Sequence, residues 1–189
     1  MNIVEEIKKD LIKRSTDNKE VNQFDFWEEH IKYVVKNAKD LATAYNADME
    51  IVELGALLHD IAMASNIGPR EEHHIYGAQI AEELLTKYNY PKDKIERVKK
   101  CVLNHRGSKD FPRTTLEEEI IADADVIAHF DCLPSMFSLA YSKLKLNTQE
   151  GADYVKAKLE RDYNKLSPRT KEYLKERYKN IINILFINN

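Results

Sequence analysis

The chain has 189 residues, 43% hydrophobic and 32% charged, with a net charge of -3 and only 5 Gly and 5 Pro. That length suits one domain with a substantial core, and the composition is that of a folded, helix-rich protein rather than a disordered one. Interspersed charges near neutrality give no basic stripe to follow a nucleic-acid backbone, so long DNA or RNA is not expected as a substrate.

Helical periodicity recurs along the chain and strand alternation almost nowhere, which predicts an all-α fold. Helices are predicted over 2–14, 25–45, 50–64, 71–88, 92–105, 115–130, 134–145, 148–164 and 168–187. The first, Met1-Asn-Ile-Val-Glu-Glu-Ile-Lys-Lys-Asp10, carries acidic residues among its apolar positions and reads as an amphipathic helix, not a signal peptide. No run reaches the length needed to span a bilayer, and no membrane partner is expected. Cys101 and Cys132 are too few for a disulfide framework or a zinc ribbon, so a reducing cytoplasm is the default expectation.

In the second helix His30 has Phe26, Trp27, Tyr33 and Val34 as helical neighbours and points into an apolar face. The third contains the most informative pair of the chain, His59-Asp60, within the apolar run Ile51–Ala64. If helical, that run surrounds Asp60 with Ala56, Leu57, Met63 and Ala64. A carboxylate there must be protonated, salt-bridged or bound to a cation. Asn66-Ile-Gly-Pro69 ends the helix, and Asn89-Tyr-Pro91 separates the next two. His74 precedes the small residues Gly77, Ala78 and Ala81, while its neighbour His73 is expected on an exposed face. His105 closes an amphipathic helix, and Gly107 to Pro112 forms the longest polar loop. Thr115 with Glu118 resembles a capping box at the start of the helix bearing Asp123 and Asp125. Asp125, among Ile121, Ala122, Ala128 and His129, repeats the problem posed by Asp60. Beyond Phe130 no metal-type cluster recurs. Leu133–Tyr141 is expected to pack against the bundle or a second subunit, or to line a substrate pocket, and the stripe Tyr173, Leu174, Tyr178, Ile181, Ile182 and Leu185 to be core or a homodimer contact.

His30, His59, Asp60 and Asp125 together offer nitrogen and oxygen donors suited to a first-row divalent metal, with His74 and His105 in reserve. Their order, His30, then His59-Asp60, then Asp125, resembles the H…HD…D signature of the HD-domain metal-dependent phosphohydrolases. The likeness spans roughly Trp27 to Phe130, with Leu57-Leu-His-Asp-Ile61, His74-Ile-Tyr-Gly-Ala-Gln-Ile-Ala81 and Ala122-Asp-Ala-Asp-Val-Ile127 as its local contexts. It implies an HD-domain helical bundle, with one domain over 1–189, a core of about 25–130 and a C-terminal helical extension of about 131–189. It also implies that His30, His59, Asp60 and Asp125 hold a metal, that Asp123 is a supporting carboxylate, and that His74 and His105 hold a second ion. Mn, Ni, Co, Fe, Mg and Zn all suit such donors, as one or two ions.

Many relatives follow His-Asp with Ile-Gly-Lys; here Ile61-Ala62-Met63 lacks that lysine. Arg70 and Arg106 are the cations expected to hold phosphate, with Lys109 and Arg113 as alternatives. Asp123, Asn104, Glu71 and Glu72 are the side chains expected to orient the histidines. The function implied is hydrolysis of a phosphate ester or anhydride in a nucleotide or similar small molecule by metal-activated water, with Asp60 or a nearby carboxylate taking the proton. A di-iron oxygenase and a non-catalytic nucleotide-binding domain are the alternatives.

Overall fold

The computed structural model describes residues 2–106 and 112–186. Helices account for its regular structure, and no strand occurs among the described residues, so the all-α expectation holds. The chain divides into two compact units, 1–125 and 126–189.

The first unit begins with α1 (Ile3–Asn22), capped by the Asn2 side chain, which accepts from Val4 N at 3.1 Å. It runs eight residues past the predicted end because Ser15, in the polar stretch that reads as a stop, is buried and bonded rather than solvated. A π-helical turn, Trp27–Ile31, leads into α2 (Lys32–Tyr45). Then come α3 (Met49–Leu58) and the short α4 (Ile61–Ala64), so the predicted helix 50–64 is broken at His59-Asp60. A 3-10 turn over Arg70–Glu72 precedes α5 (His73–Lys87), followed by α6 (Lys92–Asn104). The first ten residues of α7 (Leu116–Asp131) complete the unit. Asn66, Gly68 and Asn89 take left-handed backbone, with φ of 53°, 73° and 54°, where the breakers were predicted.

Leu54, Leu57 and Leu58 of α3, Val98 of α6 and Ile120 and Ile121 of α7 are all fully buried. Gly55 lets these helices close on one another. A Cβ there would lie 3.0 Å from Cys101 Cβ and 3.2 Å from Ile121 Cγ1. Overpacking of this kind costs about 1–3 kcal/mol, so Gly55→Ala should lower the thermal midpoint by several degrees; an unchanged melt would contradict this packing.

The second unit holds the end of α7, then α8 (Leu133–Ser138), a π-helical turn over Leu139–Lys143, α9 (Thr148–Lys165) and α10 (Pro168–Leu185). A reciprocal capping box starts α9: Glu150 N donates to Asn147 Oδ1 at 3.0 Å and Asn147 N to Glu150 Oε2 at 3.1 Å. Phe137 stacks on Tyr141, whose hydroxyl donates to Thr148 O, which docks the Leu133–Tyr141 segment onto α9. Of the terminal stripe, Leu174 is buried, whereas Tyr173 is 75% exposed and cannot be core.

Asp162 is the buried carboxylate of this unit, with His129 Nδ1 2.9 Å and Lys158 Nζ 2.8 Å from its Oδ2. Burial pushes its pKa up, but the hydrogen bonds and charges of His129 and Lys158 outweigh burial and bring it down to about 2. Because the folded pKa is depressed, the stabilisation is complete above the unfolded value near pH 4 and disappears as pH falls toward 2. Its size is about 2 kcal/mol. Thermal midpoints measured across that range should fall more steeply for the wild type than for Asp162→Asn; parallel curves would contradict the assignment.

Candidate metal centre

His30 sits on the π-helical turn, where Lys32 N bonds to Trp27 O five residues back instead of four. His59 follows the last residue of α3 in helical backbone. Asp60 then leaves the helix, with φ -111° and ψ 21°, and its side chain caps nothing. The bridge region of backbone space is where active-site residues often sit. Asp125 lies on α7, and His73 and His105 at the start of α5 and just past the end of α6.

These elements bring two groups of donors together on one carboxylate. Asp60 Oδ2 lies 3.7 Å from His30 Nε2 and 3.6 Å from His59 Nε2. Asp125 Oδ1 joins that group, 3.0 Å from His30 Nε2 and 4.0 Å from His59 Nε2. The other oxygen, Asp60 Oδ1, lies 3.1 Å from His73 Nε2 and 3.8 Å from His105 Nε2. The histidines also meet each other, His30 and His59 at 3.3 Å and His73 and His105 at 3.0 Å between Nε2 atoms.

Three of the rings are oriented from behind by main-chain carbonyls. Nδ1 of His59 lies 2.8 Å from Ala56 O, that of His73 2.6 Å from Arg70 O and that of His105 2.6 Å from Val102 O. A carbonyl only accepts, so each Nδ1 carries the proton and donates it, and each ring turns its Nε2 toward Asp60; burial works against a charged His73, but the hydrogen bond and charge of Asp60 outweigh it and raise the His73 pKa. Of the side chains expected for this job, Asn104 is engaged elsewhere. Asn104 donates to Glu118 Oε2 at 2.9 Å, and Glu71 accepts through its carbonyl from Arg106 Nη1.

His73 and His105 both give Nδ1–H to a carbonyl, so their Nε2 atoms, 3.0 Å apart beside a carboxylate, require a proton or a metal ion between them. Burial pushes the His105 pKa down to about 4, with nearby His59 acting in the same sense, so His105 is neutral at physiological pH and offers a lone pair. Burial also works against the Asp60 carboxylate, but His59, His73 and His105 outweigh it and hold its pKa well below the usual range. The donor set therefore fits divalent metal. His30, His59 and Asp60 form one convergent group, and Asp60, His73 and His105 another.

His73, not the expected His74, supplies the donor on α5. His74 is buried, with its pKa lowered by burial and then by the Arg106 charge, and belongs to neither group. Helix geometry explains the exchange. A Cβ on Gly77 would lie 3.6 Å from His59 O, so that face of α5 looks at the His-Asp pair. His73, four residues earlier, is turned roughly 40° from Gly77, and His74, three earlier, roughly 60° the other way. His73→Ala should then lose one metal equivalent while His74→Ala keeps full occupancy, as counted by elemental analysis; the reverse would reinstate His74.

Asp123 is buried on α7, two residues before Asp125, and lies outside these donor groups. Arg70 gives its carbonyl to His73, and its side chain is exposed on the 3-10 turn. Arg106, held by Glu71 O, stands close enough for its charge to act on both His73 and His74. Lys109 lies outside the described residues, and Arg113, which is among them, is half-buried. Glu118, expected only as a capping partner of Thr115, is a fully buried carboxylate that accepts from Asn104 Nδ2 and from Thr114 N at 2.8 Å, tying the residue before His105 to α7. Its back-bond goes to Thr114, one residue before the predicted Thr115 cap, although Glu118 N does donate to Thr115 Oγ1 at 3.3 Å.

The family model of the HD domain matches residues 27–129, more than half of the chain, and the protein belongs to that family. Over 143 residues it is 29% identical to a tRNA (cytidine(56)-2'-O)-methyltransferase of Picrophilus torridus, covering 67% of this chain and 38% of that protein. An uncharacterized protein of Methanocaldococcus jannaschii is 34% identical over 116 residues, 51% of this chain and 63% of the relative. The chain thus spans less than two thirds of either relative. The crystal structure of a predicted HD superfamily hydrolase from an uncultured Thermotogales bacterium superposes with a TM-score of 0.64 and 19% identity, over 96% of this chain and 88% of that one. At that identity the likeness concerns the fold. Among the described residues no helix is long and apolar enough to cross a membrane.

Proposed function

We propose that this protein is a metal-dependent phosphohydrolase acting on nucleotides or similar small phosphorylated molecules. The observation that carries the proposal is the sharing of Asp60, one oxygen toward His30 and His59 and the other toward His73 and His105. That arrangement supports two ions, with His30, His59, Asp60 and Asp125 holding one and Asp60, His73 and His105 the other. Divalent metal in such a setting lowers the pKa of water toward neutrality and offsets charge on a phosphoryl oxygen.

The residues of the chain supply the rest. Backbone carbonyls fix three imidazoles before any ligand arrives, so the reorganisation needed at binding is small. Asp60, with its pKa held so low, is a poor base, and we assign it to holding positive charge and not to accepting the proton. Arg106, anchored at Glu71 O, is our first choice for gripping the phosphate in place of the missing lysine, with Arg70 and Arg113 behind it. Asp123 is proposed to support Asp125 from the buried side of α7, a role its burial allows.

The test is phosphate release from nucleoside mono-, di- and triphosphates, dinucleoside polyphosphates and cyclic dinucleotides, each with Mn, Ni, Co, Fe, Mg or Zn. Release that needs metal and is weakened in Arg106→Ala is expected. Iron-dependent oxygen consumption without phosphate release would instead favour an oxygenase, and ligand binding without turnover a sensor.

A further inference from the structure

His30 owes its direction to an irregular turn, and the irregular turn owes its footing to α1, which lies before the 27–129 match. Ser15 is fully buried on α1. Its hydroxyl donates to Asp25 Oδ1 at 2.8 Å and accepts from Trp27 N at 2.9 Å. Asp25 Oδ1 also accepts from Glu28 N at 3.1 Å, while Asp25 N donates to Glu29 Oε1 at 3.1 Å. Two of these bonds satisfy Trp27 N and Glu28 N, which open the turn ahead of Glu29 N, the first to bond a carbonyl four residues back. The same helix reaches the segment after Asp60: Arg14 Nη1 donates to Ser65 Oγ at 3.2 Å and Asn22 Nδ2 to Met63 O at 3.1 Å. One helix therefore braces both the turn bearing His30 and the chain that follows Asp60.

A π-helical turn holds one residue more than an α-turn, and its return to α-register rotates the residues on one side by about 100° relative to the other. His30 lies inside that turn, 3.0 Å from Asp125 and 3.3 Å from His59, so the rotation would carry its Nε2 away from both. We propose that Ser15 is a positioning residue for His30: its hydroxyl holds the π-helical turn in register and so aims the first imidazole at the shared metal centre. The proposal rests on the reading of His30 as a metal ligand.

The test is a titration with Co2+, whose visible spectrum reports ligand geometry, on wild type, Ser15→Ala, Ser15→Val and Ser15→Thr, with chelator-treated melts as a record of folding. Thr and Val match in shape and differ in the hydroxyl. Ala and Val should weaken Co2+ binding about tenfold and change the spectrum, while Thr restores both, in line with losses seen when groups behind a ligand are removed. Lower melting points with unchanged Co2+ affinity and spectrum would make Ser15 merely structural and overturn the proposal. Equal loss in Thr would do the same by pointing to packing. A wild-type protein that binds no Co2+ would remove the metal centre itself, a separate failure visible before any variant is compared.

Discussion

Asp60→Ala should abolish the proposed hydrolysis, with phosphate release slowed by about a thousandfold or more and metal content falling below one equivalent per chain. Among the described residues Asp60 is the one shared by these two donor groups. Asp60 Oδ2 faces His30 and His59, Asp60 Oδ1 faces His73 and His105, and the methyl that replaces the carboxylate leaves each group one oxygen short. It also removes the negative charge that balances these buried imidazoles and any cation they hold. Asp60→Asn keeps the shape and one oxygen while losing the charge, so it should stay folded and remain nearly as inactive. Metal analysis and phosphate release on both proteins, with circular dichroism as the folding control, check this. An Asp60→Ala protein that retains metal and rate would contradict the account.

Stripping metal from the wild type should lower its thermal midpoint by roughly 8–16 °C. The estimate follows from linkage: an ion present at a thousand times its dissociation constant stabilises the folded chain by about 4 kcal/mol, and each kcal/mol moves the midpoint of a chain of this size by roughly 2–4 °C. The donors come from the π-helical turn, the His-Asp turn and helices α5, α6 and α7, so they share no short segment that could bind metal in the unfolded chain. Melts in chelator and after restoration of Mn2+ measure the shift. Identical midpoints would mean that the imidazoles around Asp60 are held by protons alone.

Much of this was legible in the residues themselves. His30, His59, Asp60 and Asp125 stood out because ionisable groups at apolar helical positions need an explanation, and the structure brings these four together. The breaks at Asn66, Gly68 and Asn89 were legible because those residues accept left-handed backbone at little cost. The break at Asp60 was not, since the apolar spacing of Leu57, Leu58, Ile61 and Ala64 runs through it without interruption. His73 was mistaken for an exposed neighbour because it and His74 lie on adjoining faces of one helix, and the sequence does not say which face meets the His-Asp pair. The packing of Gly77 against His59 O marks that face and selects His73. The carbonyls of Ala56, Arg70 and Val102 could not be read from any side-chain pattern, because every residue carries the same carbonyl.

The central claim is that one carboxylate joins two metal-binding groups. Its most direct test is the number of metal equivalents bound per folded wild-type chain after loading with Mn2+ and removal of free ion, measured by elemental mass spectrometry. The account predicts a value near two. A chain that is fully folded and carries none, or no more than one, would contradict it.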